Sequence, residues 1–431
     1  MNPVAIAIRA KGGLGSVRRA RQIAREYGNS GARMAACLAQ FARLLADFAC
    51  SATFPITSVV LARNPALIQH YQDQGIEFAV HGYRHTDYSR MTFNTQVEQL
   101  TRAREVFSRF RIEANGFRSP YLRHTLETRS AIGSCGFLYD ASQALAWNCL
   151  PAKTPDYVRA LSFYGALPVE GCPSLPEVEN GMVRIPYCLP DDESVVDRLR
   201  LTPDQTASVW LNILERTIET GELFCLGIHP ERIGACAESL RRVLSVAKQR
   251  GTVWIARMEE IAKWWKARAS ANVQISNPEP GKFRIRVAGP DGITVLVRGV
   301  ECSVSEPVPH PSADGHLGPY RKSASLDFIF ASPVLPFVGF DRRTAPEVVG
   351  FLKEQGYLLE TGLAPDSYSL YVEVVEPTRS WKRDLLSRLE SSDQPLIRLA
   401  RWPHAYQSAI AVTGDIDALT CWDYGLRLLG R

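Results

Sequence analysis

Short, continuously apolar segments alternate along residues 52–258 with longer segments in which apolar residues recur at three- and four-residue spacing. The short segments are typical of buried strands, and the longer pattern is typical of helices with one face in the core. Strands are predicted at SATFPITSVVL, which ends in a turn, and at IEFAV, NGFRSPY, FLYDAS, VRIPY, ELFCLGIHP and TVWIARM. Helices are predicted at NPALIQHYQDQG, 94–107, LETRSAIGSCG, 208–219 and 237–249. This alternation predicts an α/β fold with a parallel sheet.

In a parallel sheet of this kind, the chemistry is expected at the carboxyl ends of the strands. Right-handed crossovers allow either a barrel or a doubly wound sheet, and in both architectures the functional residues follow the strands. Four polar residues stand at predicted strand ends, namely His81, Arg118, Asp140 and His229. We therefore expect them along one edge of the sheet.

Two regions with different patterns flank the alternation. At the N-terminus, a strand at 4–8 and a helix at about 17–48 are predicted on either side of a basic loop. That loop contains KGGLGS, which lacks the spacing of phosphate-binding motifs, so a turn is favoured over an anion-binding nest. From about residue 269, short β-like segments alternate with Pro- and Gly-rich turns, and a loop rich in Pro, Ser and His is predicted at about 303–319.

The chain is predicted to have three parts. Residues 1–268 form the α/β domain, and residues 269–393 form a smaller β-rich module of unknown role. Residues 394–431 form a C-terminal segment in which a strand runs into acidic residues and then into a helix. We expect this last strand to return to the first domain and complete it.

Composition narrows the class of protein. The 431 residues carry a formal net charge of only +5, with Lys and Arg scattered along the chain, which argues against nucleic-acid binding. No segment reaches the roughly 18 apolar residues of a membrane span, and no signal peptide is evident, so a cytoplasmic location is expected. The ten cysteines lie far apart without a CxxC pair, which is typical of reduced thiols.

The motif His81-Gly-Tyr-Arg-His85 is a candidate metal site. If the turn after the strand winds into a helix, both imidazoles face one point, where they can hold a divalent metal such as zinc. Two surface or capping histidines are the alternative, because this spacing arises often by chance.

Two further strand ends supply groups that a hydrolase needs. Arg118-Ser-Pro120-Tyr121 offers a fixed cation and a stiff, aromatic wall for a substrate site. His229 suits the role of general acid by residue type. Each of these residues taken alone is more often structural, Arg118 as an ion-pair partner and His229 as a satisfied histidine.

The carboxylates of the candidate site come from the C-terminal strand. Asp415 and Asp417 follow the buried segment that begins at Ala409, one residue apart at its exit. One carboxylate on the metal and one polarising a water would complete a metal-dependent hydrolase. Solvated acids in a turn are the alternative.

The order ATFPITSVVLARNPALI, HGYRH, GFRSPY, YDAS and LGIHP, over residues 52–258, resembles the NodB-homology polysaccharide deacetylases, which belong to a carbohydrate esterase family. The resemblance implies a deformed (β/α) barrel that uses Zn²⁺, or another divalent metal such as Co²⁺ or Ni²⁺, to hydrolyse N-acyl groups, usually acetyl, from amino sugars. It also implies that His81 and His85 are metal ligands, that Arg118 and Pro120 form the arginine motif beside the catalytic base, and that His229 is the general acid.

One family motif departs from its usual position. The Thr-Phe-Asp-Asp or Thr-Phe-Asp-Val-Asp run that normally opens the domain is absent upstream of HGYRH, whereas Thr413-Gly-Asp415-Ile-Asp417 resembles its second form. We infer a circular permutation in which Asp415 is the base and Asp417 is the third metal ligand. If that strand instead belongs to another domain, the barrel lacks a carboxylate and is inactive.

Four other residues are candidates on softer grounds. The resemblance implies a carboxylate that orients the acid histidine, and Asp191 or Asp192 is its expected source. Asp140 and Trp147 are expected to line the sugar site, although Trp147 is equally compatible with a core position.

The functional prediction is a hydrolase of carbon–nitrogen bonds that deacylates an amino sugar, with a nucleotide- or lipid-linked precursor as the expected substrate. Two alternatives remain open at this stage. One is hydrolysis of a small cyclic amide or imide, because relatives with the Asp-x-Asp form of the motif include such enzymes. The other is a metal-free carbohydrate-binding barrel without activity.

Overall fold

The computed structural model describes residues 27–150, 152–302, 304–307, 320–362, 364–378 and 380–428. The strand predicted at 4–8, the KGGLGS turn, the first part of the helix predicted at 17–48 and most of the loop predicted at 303–319 lie outside these residues. The described part of that helix is α1, Ala32–Ala46, which buries Met34, Leu38 and Phe41 at helical spacing.

The first half of the α/β domain follows the predicted alternation closely. Its elements are β1 (Thr53–Ile56), α2 (Ser58–Arg63), α3 (Pro65–Asp73), β2 (Glu77–Val80), α4 (Phe93–Arg109), β3 (Gly116–Phe117), α5 (Leu126–Ser134) and β4 (Tyr139–Asp140). The prediction for SATFPITSVVL was wrong in its second half, because the strand ends at Ile56 and a short helix follows it.

The second half contains the remaining predicted elements and several that the pattern did not predict. Its elements are β5 (Ala144–Ala146), α6 (Pro155–Tyr164), β6 (Leu167–Pro168), β7 (Glu177–Glu179), β8 (Met182–Arg184), β9 (Tyr187–Leu189), α7 (Pro203–Thr220), β10 (Leu223–Gly227), α8 (Ile233–Arg250), β11 (Val253–Ile255) and α9 (Met258–Ala269). The segment VRIPY was predicted as one strand but contributes to both β8 and β9. Helix α6 begins with a cap at Thr154 and ends at Gly165 in the left-handed conformation.

The region after α9 forms three small sheets. Its elements are β12 (Asn272–Glu279), β13 (Lys282–Ala288), β14 (Val295–Arg298), β15 (Val304–Pro307), β16 (Arg321–Ser323), β17 (Asp327–Ala331), β18 (Leu335–Phe340), α10 (Pro346–Glu354), β19 (Leu359–Thr361), β20 (Tyr368–Val372), α11 (Trp381–Glu390) and β21 (Leu396–Leu399). The sheet orders are β12-β13-β17, β15-β16-β14-β21 and β19-β18-β20. Strand β21 pairs with β14, so it lies in a sheet of the module although it follows residue 393.

The last two elements are β22 (Ser408–Thr413) and α12 (Cys421–Leu428). Strand β22 joins the large sheet, whose order is β6-β5-β9-β10-β22-β1-β2-β3-β4-β8-β7, with β11 also paired to β22. The prediction of a deformed (β/α) barrel is therefore confirmed, with the C-terminal strand lying between β10 and β1.

The register of β22 is fixed along its whole length. Leu223 to Gly227 of β10 pair in parallel with Ala409 to Thr413, and Thr413 also pairs with Thr53 of β1. All six residues of β22 are buried, as expected for a strand covered on both faces. The residues that leave β22 are thereby brought beside the residues that leave β1, β2 and β10.

Among the described residues, no helix is both long and apolar enough to cross a membrane. None of the ten cysteines, all of which are described, is paired in a disulfide.

Candidate active site

The HGYRH segment brings two imidazoles together without forming a helix. Residues 81–87 follow β2 as a bend, so the two rings meet without the helical turn that was considered as a condition for it. Gly82 makes the bend possible, because its φ is +83° and an added Cβ would lie 2.9 Å from the Arg84 carbonyl oxygen. The ring centroids of His81 and His85 are 5.1 Å apart.

The carboxylate of Asp417 completes a group of three metal-ligating side chains with His81 and His85. Asp417 Oδ1 lies 3.4 Å from His81 Nε2 and 3.2 Å from His85 Nε2. One ligand atom from each residue falls within 4.8 Å of the others, and no second group of this kind occurs in the described part of the chain. Both histidines are buried and Asp417 is largely so.

Three buried atoms of this cluster have no hydrogen-bond partner among the described residues, namely His81 Nε2, His85 Nδ1 and Asp417 Oδ1. The His81 Nδ1 atom lies 2.9 Å from the Arg118 carbonyl oxygen, an acceptor that holds the ring proton on Nδ1 and leaves a lone pair on Nε2. Within the described residues, neither His81 Nε2 nor Asp417 Oδ1 has a hydrogen-bond partner, although both are buried. Buried polar atoms without partners are costly, and a bound cation removes that cost. Two imidazoles and one carboxylate are a donor set that suits zinc and related ions.

The protonation states of the cluster are those of metal ligands. Burial and the nearby Arg427 guanidinium lower the pKa of His85 to about 4, so its ring is neutral at neutral pH. Burial alone would raise the pKa of Asp417, but Arg427 and His85 hold it well below its usual range. The site therefore offers a neutral His85 imidazole and an ionised Asp417 carboxylate.

Asp415 lies beside the cluster and is held by an arginine. Arg118 is fully buried and its Nη1 donates to Asp415 Oδ1 at 2.8 Å, while its Nε donates to the Ala141 carbonyl at 3.1 Å. Asp415 Oδ2 lies 3.6 Å from His81 Nε2. Burial would raise the pKa of Asp415, but its neighbours His81 and Arg118 lower that pKa below its usual value. The structure thus brings the predicted base next to the predicted ligands.

His229 stands at the end of β10 with a buried carboxylate against its ring. Asp192 accepts from the His229 backbone N–H at 2.8 Å and lies 2.8 Å from its Nδ1. Burial would lower the pKa of His229, but the charge of Asp192 and its hydrogen bond raise that pKa well above the usual value. His229 is therefore protonated at neutral pH, with its Nε2 as the remaining donor.

Three other predicted residues have different surroundings. Asp191 does not contact His229, since it accepts instead from Tyr187 Oη and Ser194 N at 2.9 Å each, so only Asp192 fits the orienting role. Asp140 is buried and accepts from the Ser142 backbone N–H and hydroxyl. Trp147 is 2% exposed within the core, which corresponds to the core alternative rather than to a sugar-binding surface.

The Arg-Ser-Pro-Tyr segment contacts the histidine pair. Pro120 is buried and begins a short 3₁₀ turn, in which Tyr121 has a left-handed φ of 61°. The Tyr121 ring lies edge-on to His85, with centroids 4.4 Å apart. Tyr121 thus places an aromatic ring beside the histidine pair.

One residue of the site, Arg427, was missed by sequence reasoning. It lies on α12, where its Nη1 is 2.6 Å from Asp417 Oδ2 and its Nη2 is 3.1 Å from His85 Nε2. The only signal in the sequence is its position on the helix that follows the Asp-Ile-Asp turn, and nothing in the pattern says that this helix folds back over the histidines.

The site as a whole is equipped for hydrolysis. It combines three candidate metal ligands, an ionised carboxylate held by Arg118, and a protonated histidine held by Asp192. A base and an acid on either side of a cation are the groups that hydrolysis of an acyl compound requires.

Comparisons with known proteins bear on the first part of this site. Residues 29–139 match the family model described as polysaccharide deacetylase. The matched segment contains His81, His85 and Arg118, whereas His229 and the carboxylates of the C-terminal strand lie outside it. A comparison with curated proteins gave no match.

Several solved structures are similar to the chain. A probable polysaccharide deacetylase from Pseudomonas aeruginosa PAO1 has 21% identity over 53% of this chain and 72% of its own, with a TM-score of 0.43. A putative polysaccharide deacetylase from Mycobacterium smegmatis has 22% identity over 56% of this chain and 81% of its own, with a TM-score of 0.43. Puue allantoinase has 21% identity over 54% of this chain and 72% of its own, again with a TM-score of 0.43.

Proposed function

We propose that this chain is a metal-dependent deacylase of an amino sugar or amino-sugar precursor, and the match of residues 29–139 to the polysaccharide deacetylase model supports this. The acyl group in this proposal is acetyl. One observation carries the proposal: the unpartnered atoms His81 Nε2 and Asp417 Oδ1 converge with His85 in one group of candidate ligands. The Asp415 carboxylate, held by Arg118, lies beside this group.

His81, His85 and Asp417 would hold the cation, which we propose is Zn²⁺ or a related ion such as Co²⁺ or Ni²⁺. A cation bound there supplies Lewis-acid polarisation of the acyl carbonyl and lowers the pKa of a water. The protein's contribution is to keep the His85 imidazole neutral and the Asp417 carboxylate ionised, as their lowered pKa values require.

Asp415 is the proposed general base. Its Oδ1 is fixed by Arg118, so Oδ2, the oxygen on the side of His81, is the one available to take a proton from the attacking water. Because Arg118 is buried and also held by the Ala141 carbonyl, the carboxylate has a fixed orientation. Removal of the proton lets the water oxygen form its bond to the acyl carbon.

His229 is the proposed general acid. Asp192 holds its Nδ1 and its backbone N–H, which leaves Nε2 to donate a proton to the departing nitrogen. The carbon–nitrogen bond breaks as the nitrogen receives that proton. The products are a carboxylic acid and a free amine. Transfer of the proton from Asp415 to His229 through solvent then restores the starting protonation states of the site.

We also propose that β22 takes the place of the first barrel strand of the family, as in a circular permutation. The pairing of β22 between β10 and β1 supports this, because it delivers Asp415 and Asp417 to the strand ends that carry His229 and His81. The inserted β-rich module would then separate two parts of one barrel.

A substrate panel tests the proposed activity. Purified protein loaded with Zn²⁺ or Co²⁺ is assayed for acetate release from nucleotide-linked, lipid-linked and free N-acetylated sugars, and for ring opening of cyclic amides and imides. Acetate release from an acetylated sugar that is lost in His229→Ala supports the proposal. Turnover of the cyclic compounds alone would replace it with cyclic amide hydrolysis, and sugar binding that persists with a chelator, without turnover, would replace it with a binding role.

A further inference from the structure

Arg427 contacts two of the three candidate metal ligands at once. Its Nη1 lies 2.6 Å from Asp417 Oδ2, and its Nη2 lies 3.1 Å from His85 Nε2. We propose that Arg427 is a built-in competitor of the metal, a guanidinium that shares the lone pair of His85 and is displaced from it when the cation binds. This inference rests on the proposed metal site and deepens it by naming what sets the affinity of that site.

The contact with His85 is competitive because of the lone pair involved. A guanidinium can only donate, so in the 3.1 Å contact with Arg427 Nη2 the Nε2 atom of His85 is the acceptor, and the same lone pair is the one that would bind a cation. His85 Nε2 cannot do both with one lone pair. The Nε2 atom of His81 is different, since no arginine reaches it and it has no hydrogen-bond partner among the described residues.

The contact with Asp417 is compatible with metal binding. Arg427 holds Oδ2, whereas Oδ1 is the unpartnered oxygen that faces the two histidines. The two oxygens of this carboxylate are therefore divided between the arginine and the imidazole pair. The two contacts use different nitrogens of the guanidinium, so Arg427 can leave His85 without giving up its contact with Asp417 Oδ2.

The local fold holds Arg427 at this position. Asp423, on the same helix, accepts from the backbone N–H groups of Leu419 and Thr420 at 3.2 and 3.1 Å, which fixes the turn between Asp417 and α12. Asp423 also pairs with Arg63 of α2 at 2.8 Å. The guanidinium itself lies 5.8 Å from the ring centroid of Tyr121. Helix α12 is thus tied to the barrel on the side of the histidine motif.

The positive charge of Arg427 is expected to lower the affinity of the site for a metal cation. Two positive charges a few ångströms apart repel each other strongly at the low effective dielectric of a buried site. The guanidinium therefore costs affinity by competing for His85 and by repelling the cation. Its removal is expected to tighten metal binding, whereas an ordinary ligand-supporting residue would weaken binding when removed.

The test compares Co²⁺ binding by wild type and Arg427→Met, measured by isothermal titration calorimetry at constant pH. Methionine retains much of the side-chain volume without the charge. We expect the Kd for Co²⁺ to fall at least about tenfold. Arg123→Met is the matched control, because Arg123 pairs with Asp87 at 3.0 Å and contacts none of the three ligands, and its Kd should stay within about twofold of wild type.

A second readout needs no added metal. In protein labelled with ¹⁵N at histidine and stripped with a chelator, the Nε2 resonance of His85 should shift in Arg427→Met and that of His81 should shift far less. The variant Arg427→Lys keeps the positive charge but lacks the two nitrogens that let a guanidinium contact Asp417 and His85 at once. Its Kd for Co²⁺ should therefore lie between those of wild type and Arg427→Met. Circular dichroism checks that each variant is folded.

The outcomes separate this inference from the proposed function. A Kd for Co²⁺ that is unchanged or higher in folded Arg427→Met overturns the role of Arg427 and leaves the metal site in place. Binding by the variant but not by wild type supports the inference in its strongest form. No binding by either protein overturns the metal site and the inference together.

Discussion

The hydroxyl of Thr413 on the C-terminal strand donates to the carbonyl of Thr53 on the first described strand at 2.6 Å, across a separation of 360 residues. This bond and the parallel pairing with β10 close the sheet around β22. The positions of Asp415 and Asp417 in the proposed site depend on β22 being held between these two strands.

Gly414→Ala should destabilise the protein and remove metal binding. An added Cβ at Gly414 would lie 1.8 Å from the Ile228 carbonyl oxygen, which is backbone and cannot move without disturbing β10. Forced backbone shifts of this kind cost about 1–3 kcal/mol or more. Thermal unfolding measures the loss. Gly234→Ala is the control, because a Cβ there meets no atom within 4 Å, so its midpoint should be unchanged or slightly higher.

Asp192→Asn should move the alkaline limb of the pH–activity profile to lower pH. The general acid must be protonated, and the charge of Asp192 raises the pKa of His229 despite burial, so the wild-type enzyme keeps its acid through neutral pH. Without that charge His229 loses its proton at lower pH, and activity falls earlier as pH rises.

The matched control for this experiment is Asp191→Asn. Asp191 is the neighbouring buried carboxyl, bonded to Tyr187 and Ser194 rather than to His229. Its alkaline limb should stay close to that of wild type. Equal shifts in both variants would mean that His229 responds to the general negative charge of this segment and not to its contact with Asp192.

Arg118→Gln should move the acidic limb of the same profile to higher pH. The positive charge of Arg118 helps to lower the pKa of Asp415 against the effect of burial, so its loss raises that pKa and the base is ionised only at higher pH. The turnover number should fall by about 10²- to 10⁴-fold, the range for a general base that is misplaced. An acidic limb at the wild-type position would argue against Asp415 as the base.

Glu390→Ala should destabilise the β-rich module without changing the proposed chemistry directly. Glu390 is buried among Arg398, Arg298, Tyr320 and Tyr357, and the Tyr320 hydroxyl donates to it at 2.9 Å. Removing one partner from a buried charge cluster costs about 3–5 kcal/mol, because the remaining arginines lose their counter-charge. Denaturant unfolding measures the cost, and a change below about 1 kcal/mol would contradict it.

The sequence was informative where short-range pattern determines structure. The apolar period located most strands and helices of the barrel, and strand ends located His81, Arg118 and His229, because parallel strands expose their carboxyl ends along one edge. Strands β1 and β22 are far apart in the sequence, and no local pattern predicts that they pair. Their proximity could be predicted only from the resemblance of Thr413–Asp417 to a family motif.

The features that the sequence did not predict depend on tertiary contacts. The two histidines meet through a bend at Gly82 rather than through a helix, and the HxxxH spacing alone does not distinguish between these two arrangements. The choice between Asp191 and Asp192 depends on which of two adjacent side chains faces β10. The approach of Arg427 to His85 depends on how α12 folds back, and helical periodicity carries no such information.

The central claim is that Asp417, from the last strand, completes a metal site with His81 and His85. Metal content by mass spectrometry and Co²⁺ titration on wild type and Asp417→Asn tests it most directly, with Asp140→Asn as a control that alters another buried carboxylate at a strand end. The account predicts about one metal per chain in wild type and in Asp140→Asn, and its loss in folded Asp417→Asn. Full metal content in Asp417→Asn, or none in wild type, would contradict it.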